Sequence, residues 1–169
     1  MEHLNWLDVV LRWMHILAAI TAVGGTFFAR LALLPAIEET LPADSRKSLH
    51  DAIRRRWSKI VAASIAFLLI SGLVNFVARI VPNYELPKFY HPLFGVKFLL
   101  ALGIFFIASV LSGRSAMADR FRQNARKWLT INAVLAVLVV LISGVLKTAE
   151  KTKKPAEPAA AAATLGASR

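Results

Sequence analysis

The chain has 169 residues, 57% of them hydrophobic, and a formal charge of +11 from 21 Lys and Arg against 10 Asp and Glu. That apolar content excludes an ordinary soluble domain and points to a membrane protein. With no cysteine in the chain, disulfides, iron–sulfur clusters and thiolate metal sites are excluded too.

The first apolar run, Trp13 to Ile37, is broken only by Arg30. Asn5 can cap a helix that starts near Trp6, so the first span is expected over 6–36. Glu2 and Asp8 precede the run and no small-x-small site follows it, which sets it apart from an ordinary signal peptide. A basic segment with Arg46, Lys47, Arg54, Arg55, Arg56 and Lys59 leads into the uncharged run Ile60 to Ala78, giving a second helix over 45–80. The stretch Val81 to Lys88 holds two prolines and has no periodicity, so it reads as a connection. Pro92 suits the first turn of a third helix over 92–113, whose interior carries the single charge Lys97. A second basic segment, with Arg114, Arg120, Arg122, Arg126 and Lys127, precedes the fourth run, Trp128 to Leu146, and a helix over 125–147.

Each run meets the roughly 20 apolar residues a spanning helix needs. The expected fold is therefore all-α, a bundle of four transmembrane helices in residues 1–147, followed by a disordered Lys/Ala/Pro tail over 148–169. Arg56-Trp57 with Ser71-Gly72, and Lys127-Trp128 with Ser143-Gly144, open and close helices 2 and 4 in similar fashion. That faint repeat suggests two tandem helical hairpins. The basic residues flank the spans instead of forming one face, so the charge is a topology signal and no nucleic-acid partner is expected. Both basic segments should be cytoplasmic and both termini outside, as in a bacterial inner-membrane protein; Lys151, Lys153 and Lys154 argue the other way with less weight.

Small and polar residues recur at spacings of three and four, which places them on one face of each helix. Helix 1 offers Arg12, His15, Ala19, Ala22 and Thr26, and helix 2 offers Ser64, Ser71, Asn75 and Arg79. Helix 3 contributes Lys97, Ala101, Ala108 and Ser112, and helix 4 Asn132, Ala136, Ser143 and Lys147. Lipid cannot satisfy such groups, so the stripes should face one another, with the small residues allowing close packing. His15 and His91 fall at the same end of the bundle, with Arg12, Arg79 and Lys97 around them, whereas His3 and His50 are expected in solvent. Two imidazoles with several cations match haem b, which needs one or two axial histidines and cationic partners for its propionates. Copper, the alternative on the same two histidines, would favour sulfur support. Met14 should point away from His15, and Met117 lies in a basic segment.

Arg12-Trp13-Met14-His15-Ile16-Leu17, Val23-Gly24-Gly25 and Arg30-Leu31 resemble the first helix of the HemJ-type protoporphyrinogen oxidases and related CopD-like membrane proteins. Arg54-Arg55-Arg56 and Gly95-Val96-Lys97-Phe98-Leu99-Leu100 continue the likeness, which covers roughly residues 10 to 147. The resemblance implies a haem-binding four-helix membrane protein with His15 as iron ligand and functional roles for Arg12, Arg30 and Lys97. It further implies an oxidoreductase acting on a tetrapyrrole, with a quinone or other electron acceptor as partner. Two other readings stand beside it: a CopD-like copper-handling protein, and a non-catalytic subunit of a larger membrane assembly or homo-oligomer.

Overall fold

The computed structural model describes residues 5–113, 115–149 and 152–153. Arg114, Lys151, Lys154, His3 and most of the 148–169 tail lie outside the described residues. Four helices are long and apolar enough to cross a membrane: α1 (Trp6–Thr40), α2 (Ala43–Asn83), α3 (Tyr90–Ser112) and, after a short helix α4 (Ala116–Gln123), α5 (Ala125–Thr148). Asn5 caps α1 as expected, its side-chain oxygen accepting from the Leu7 N–H at 3.2 Å. Pro92 sits in the first turn of α3, where a missing N–H costs nothing.

α1 packs against α2 and α5, and α3 packs against the same two, so the spans close into an up-down-up-down ring. Both basic segments consequently stand at one end of the bundle, here called the basic end. The contact faces use small side chains: Ala18, Ser64, Ser71, Ala133 and Ala136 are buried, and such residues let helices approach closely. Large apolar groups such as Leu17, Leu31, Leu99 and Leu141 point outward, as a bundle solvated by hydrocarbon requires.

Three expectations change. α1 does not stop near Pro35 but runs on to Thr40, because a π turn, Ala29–Leu33, precedes the proline. α2 likewise passes through a π turn, Asn75–Ile80, before Pro82 and ends at Asn83. A proline ring clashes with the carbonyl four residues back, here those of Leu31 and Ala78, and the wider π turn moves that carbonyl aside. Secondly, the second basic segment contains a helix of its own: α4 is capped by Ser115, whose hydroxyl accepts from the Ala118 N–H at 3.2 Å. Thirdly, Thr152–Lys153 pairs antiparallel with Tyr84–Glu85, so these two tail residues are ordered against the α2–α3 connection. The up-down order does give two hairpins, α1–α2 and α3–α5, but their tryptophans differ in use. Trp57 lies against Gly25 of α1, whereas Trp128 stacks on Phe121 of α4 at 4.1 Å.

At the basic end the last carbonyls of α1 are satisfied from α2. Arg46 donates from Nε to the Leu41 carbonyl and from Nη2 to the Glu38 carbonyl, each at 2.6 Å. Arg122 closes α3 in the same manner, donating to the Gly113 carbonyl at 2.9 Å. Part of the basic charge is therefore committed to helix ends.

Candidate functional site

His15 lies half-buried between α1 and α2. Its Nδ1 is 2.8 Å from Ser71 Oγ, and the Ser71 hydroxyl itself donates back to the Phe67 carbonyl. With the hydroxyl proton directed to Phe67, the serine oxygen is placed to accept, an arrangement that suits a His15 protonated on Nδ1. Nε2 then keeps a free lone pair. An N–H held by a neighbouring oxygen, with the opposite nitrogen unprotonated, is how ligating histidines are oriented. Lys97 is half-buried on α3.

The other residues singled out by sequence sit differently. Arg12 is exposed one turn before His15. Arg79 is engaged by Asp8 at 2.7 Å, joining the end of α2 to the start of α1. His91 is exposed at the start of α3, edge-on to Phe76 at 6.0 Å and to Tyr90 at 6.5 Å, while Phe76 stacks on Phe94. The contacts of His15 and His91 thus run to different partners. Arg30, within the first π turn, donates to Thr130 on α5 at 2.8 Å. Among the described residues no group of three or more His, Asp or Glu side chains is placed to hold a metal ion. The polar stripes are buried in mid-helix, at Ser64, Ser71 and Asn132, but Arg12, Asn75 and Lys147 near the ends are exposed.

Sequence reasoning missed a second feature. A cavity of about 680 Å³ runs between α1, α2, α3 and α5 and opens at the basic end. Its deep walls are apolar, with Trp57, Ile65, Ile104 and Phe105; its mouth carries Lys47, Arg54, Arg122, Arg126 and Lys127 against Glu38. Three of these arginines have carboxylate neighbours: Arg54 with Asp51 at 3.0 Å, Arg122 with Asp119, and Arg126 with Glu38. His50 also lines the mouth, half-buried rather than solvated, on the part of α2 that projects beyond its apolar run. Burial and then the nearby Arg54 hold its pKa below the ordinary histidine range, against the pull of Asp51 and Glu38, so it joins the mouth as a neutral imidazole.

Asn132 stands in the cavity wall, 2% exposed. Its Nδ2 donates to Thr26 Oγ1 at 3.2 Å, and the Thr26 hydroxyl donates to the Ala22 carbonyl at 2.9 Å. Because the threonine oxygen must accept, the amide orientation is fixed, and Oδ1 is left buried without a donor among the described residues. The signals for this cavity were in the sequence but read otherwise: the basic residues as topology, Asn132 as packing. Compared with family models, with curated proteins and with solved structures, the chain matches none.

Proposed function

We propose that the chain is an integral membrane haem-b-binding protein in which His15 is the axial ligand. One observation carries the reading: the His15–Ser71–Phe67 relay leaves Nε2 of a membrane-embedded imidazole as a free donor. A half-buried histidine within a span is costly enough to support a functional reading. Lys97 and Arg12 would serve propionates at the same level of the bundle. His91 is the weaker candidate, since its ring is engaged with Phe76 and Tyr90. A single oriented imidazole suits a macrocycle that brings four nitrogens of its own, whereas a bare copper ion would want several protein donors in one place.

When bound, haem b supplies a redox-active iron, and the likeness to HemJ-type oxidases makes a tetrapyrrole the substrate class and a quinone the fitting acceptor. Two basic segments at one end support placing that end in the cytoplasm of a bacterial cell, with both termini outside. Cysteine labelling at the exposed Ser45 and Gln123 tests the orientation in a chain with no native cysteine.

The deciding experiment is the visible spectrum of the protein purified in detergent. A Soret band with α and β bands on reduction, lost in His15→Ala and retained in His91→Ala, is expected. A colourless, metal-free protein whose His15→Ala variant assembles normally would instead make the chain a non-catalytic subunit.

A further inference from the structure

The cavity at the basic end is separate from His15 and asks for a ligand of different chemistry. Its wall on α1 extends from Ala22 to Glu38, about 24 Å of helix rise. Spread over that length, 680 Å³ is a mean cross-section of about 28 Å², ample for one extended hydrocarbon chain. The volume is within the range of natural ligand pockets. Polarity changes along the slot, with apolar walls in the bundle and five cations at the mouth, three of them paired with Asp51, Asp119 and Glu38. The ion pairs at the mouth lie at the surface, where an incoming anion can exchange with a carboxylate at little cost. Lys47 and Lys127 take part in none of the ion pairs found among the described residues.

Between head and tail stands Asn132, five residues and so about 7.5 Å deeper along α5 than Lys127. Its orphaned Oδ1 can accept one hydrogen bond, and a buried acceptor left unsatisfied costs about 1–3 kcal/mol. The oxygen has no surface open to the cavity, so it marks the packing of the wall and not a ligand contact.

We propose that this cavity binds a single-chain anionic amphiphile. Its acidic head sits at Lys47, Arg54 and Lys127, and its chain fills the slot against Trp57, Ile65 and Phe105. A lysophosphatidate has this chemistry with a phosphate head; a free long-chain acid has it with a single carboxylate.

Fluorescence of the detergent-solubilised full chain tests the proposal, with probes whose acyl chain carries bromine to quench tryptophan. A brominated lysophosphatidate is expected to quench saturably, and Trp57→Phe is expected to abolish that component while Trp6, Trp13 and Trp128 remain. The uncharged monoacylglycerol with the same chain should bind about tenfold more weakly or worse, as should lysophosphatidate with the Lys47→Gln/Lys127→Gln variant, for loss of charge-assisted contacts. The brominated fatty acid, with less charge on its head, should also bind more weakly than lysophosphatidate. Helical circular dichroism and a monodisperse elution profile establish that each variant is folded. Equal binding of the neutral lipid, competition by inorganic phosphate alone, or quenching that survives Trp57→Phe would each overturn the proposal. The readout is tryptophan emission, so it succeeds or fails independently of any visible absorbance assigned to His15.

Discussion

Of the described glycines Gly25 leaves the least room for a side chain, and Gly25→Ala tests its fit against α2. A Cβ built there meets Trp57 Cζ2 at 2.2 Å and Cη2 at 2.7 Å, whereas at the neighbouring Gly24 nothing lies within 4 Å. To restore carbon contact distances the indole must retreat by more than about 1 Å. It has somewhere to go, since Trp57 borders the cavity, so the cost belongs in the lower part of the overpacking range, about 1–2 kcal/mol. Both substitutions gain up to about 1 kcal/mol of helix propensity. Gly24→Ala should therefore be neutral or stabilising, and Gly25→Ala should melt below it by about 2–8 °C at the 2–4 °C per kcal/mol expected for a chain of this size. Thermal unfolding in detergent, followed by circular dichroism, measures the pair. Trp57→Leu removes the atoms involved, so adding Gly25→Ala to that background should cost nothing further. Equal melting of Gly24→Ala and Gly25→Ala, or an undiminished penalty in the Trp57→Leu background, would refute the reasoning.

Ser71→Ala removes the acceptor of the His15 N–H and frees the ring to turn; haem affinity, titrated by Soret absorbance, is expected to fall about 10–100-fold, as for other second-sphere partners of metal-bound histidine. Asn132→Leu deletes an unsatisfied buried oxygen along with one hydrogen bond to Thr26, which keeps its bond to the Ala22 carbonyl. The ligand-free protein should be unchanged or gain up to about 2 kcal/mol in thermal unfolding, and a large loss would contradict the assignment of Oδ1 as unpaired. Asp8→Asn breaks the contact with Arg79, yet both side chains are about 40% exposed, so stability should fall by less than about 1 kcal/mol, and by less still in high salt.

The four spans and their order were legible because bilayer thickness sets a length and lipid sets a composition, both visible in a single sequence. The stripe argument also found the serine and asparagine that meet other helices, since Ser71 and Asn132 sit where spacings of three and four put them. It overreached at the ends, where Arg12 and Lys147 share those spacings but have solvent and headgroups to point into. His91 illustrates the same limit: being at the right end of the bundle does not turn a side chain inward, and its neighbours Phe76 and Tyr90 decide its contacts. The cavity was illegible because it is a packing deficit among residues far apart in sequence. Basic residues that flank every membrane span give no sign that five of them ring one mouth.

The two π turns have a consequence for how this chain tolerates change. Each accommodates one residue more than regular helix would, and one residue is worth about 100° of rotation. The segments beyond them, Leu34–Thr40 and Val81–Asn83, are thus out of phase with the helices they prolong. Deleting a single residue from Ala29–Leu33 would close the wide turn into regular helix and leave the buried Ile37 and the Glu38–Arg126 pair in phase, but it would return the Pro35 ring to a carbonyl it now avoids. Arg30 and Arg79, the cross-helix tethers to Thr130 and Asp8, are each seated in one of these turns. Each wide turn consequently holds a proline and a cross-helix tether together, and a deletion that closed it would disturb those two before it changed the phase of the helix end.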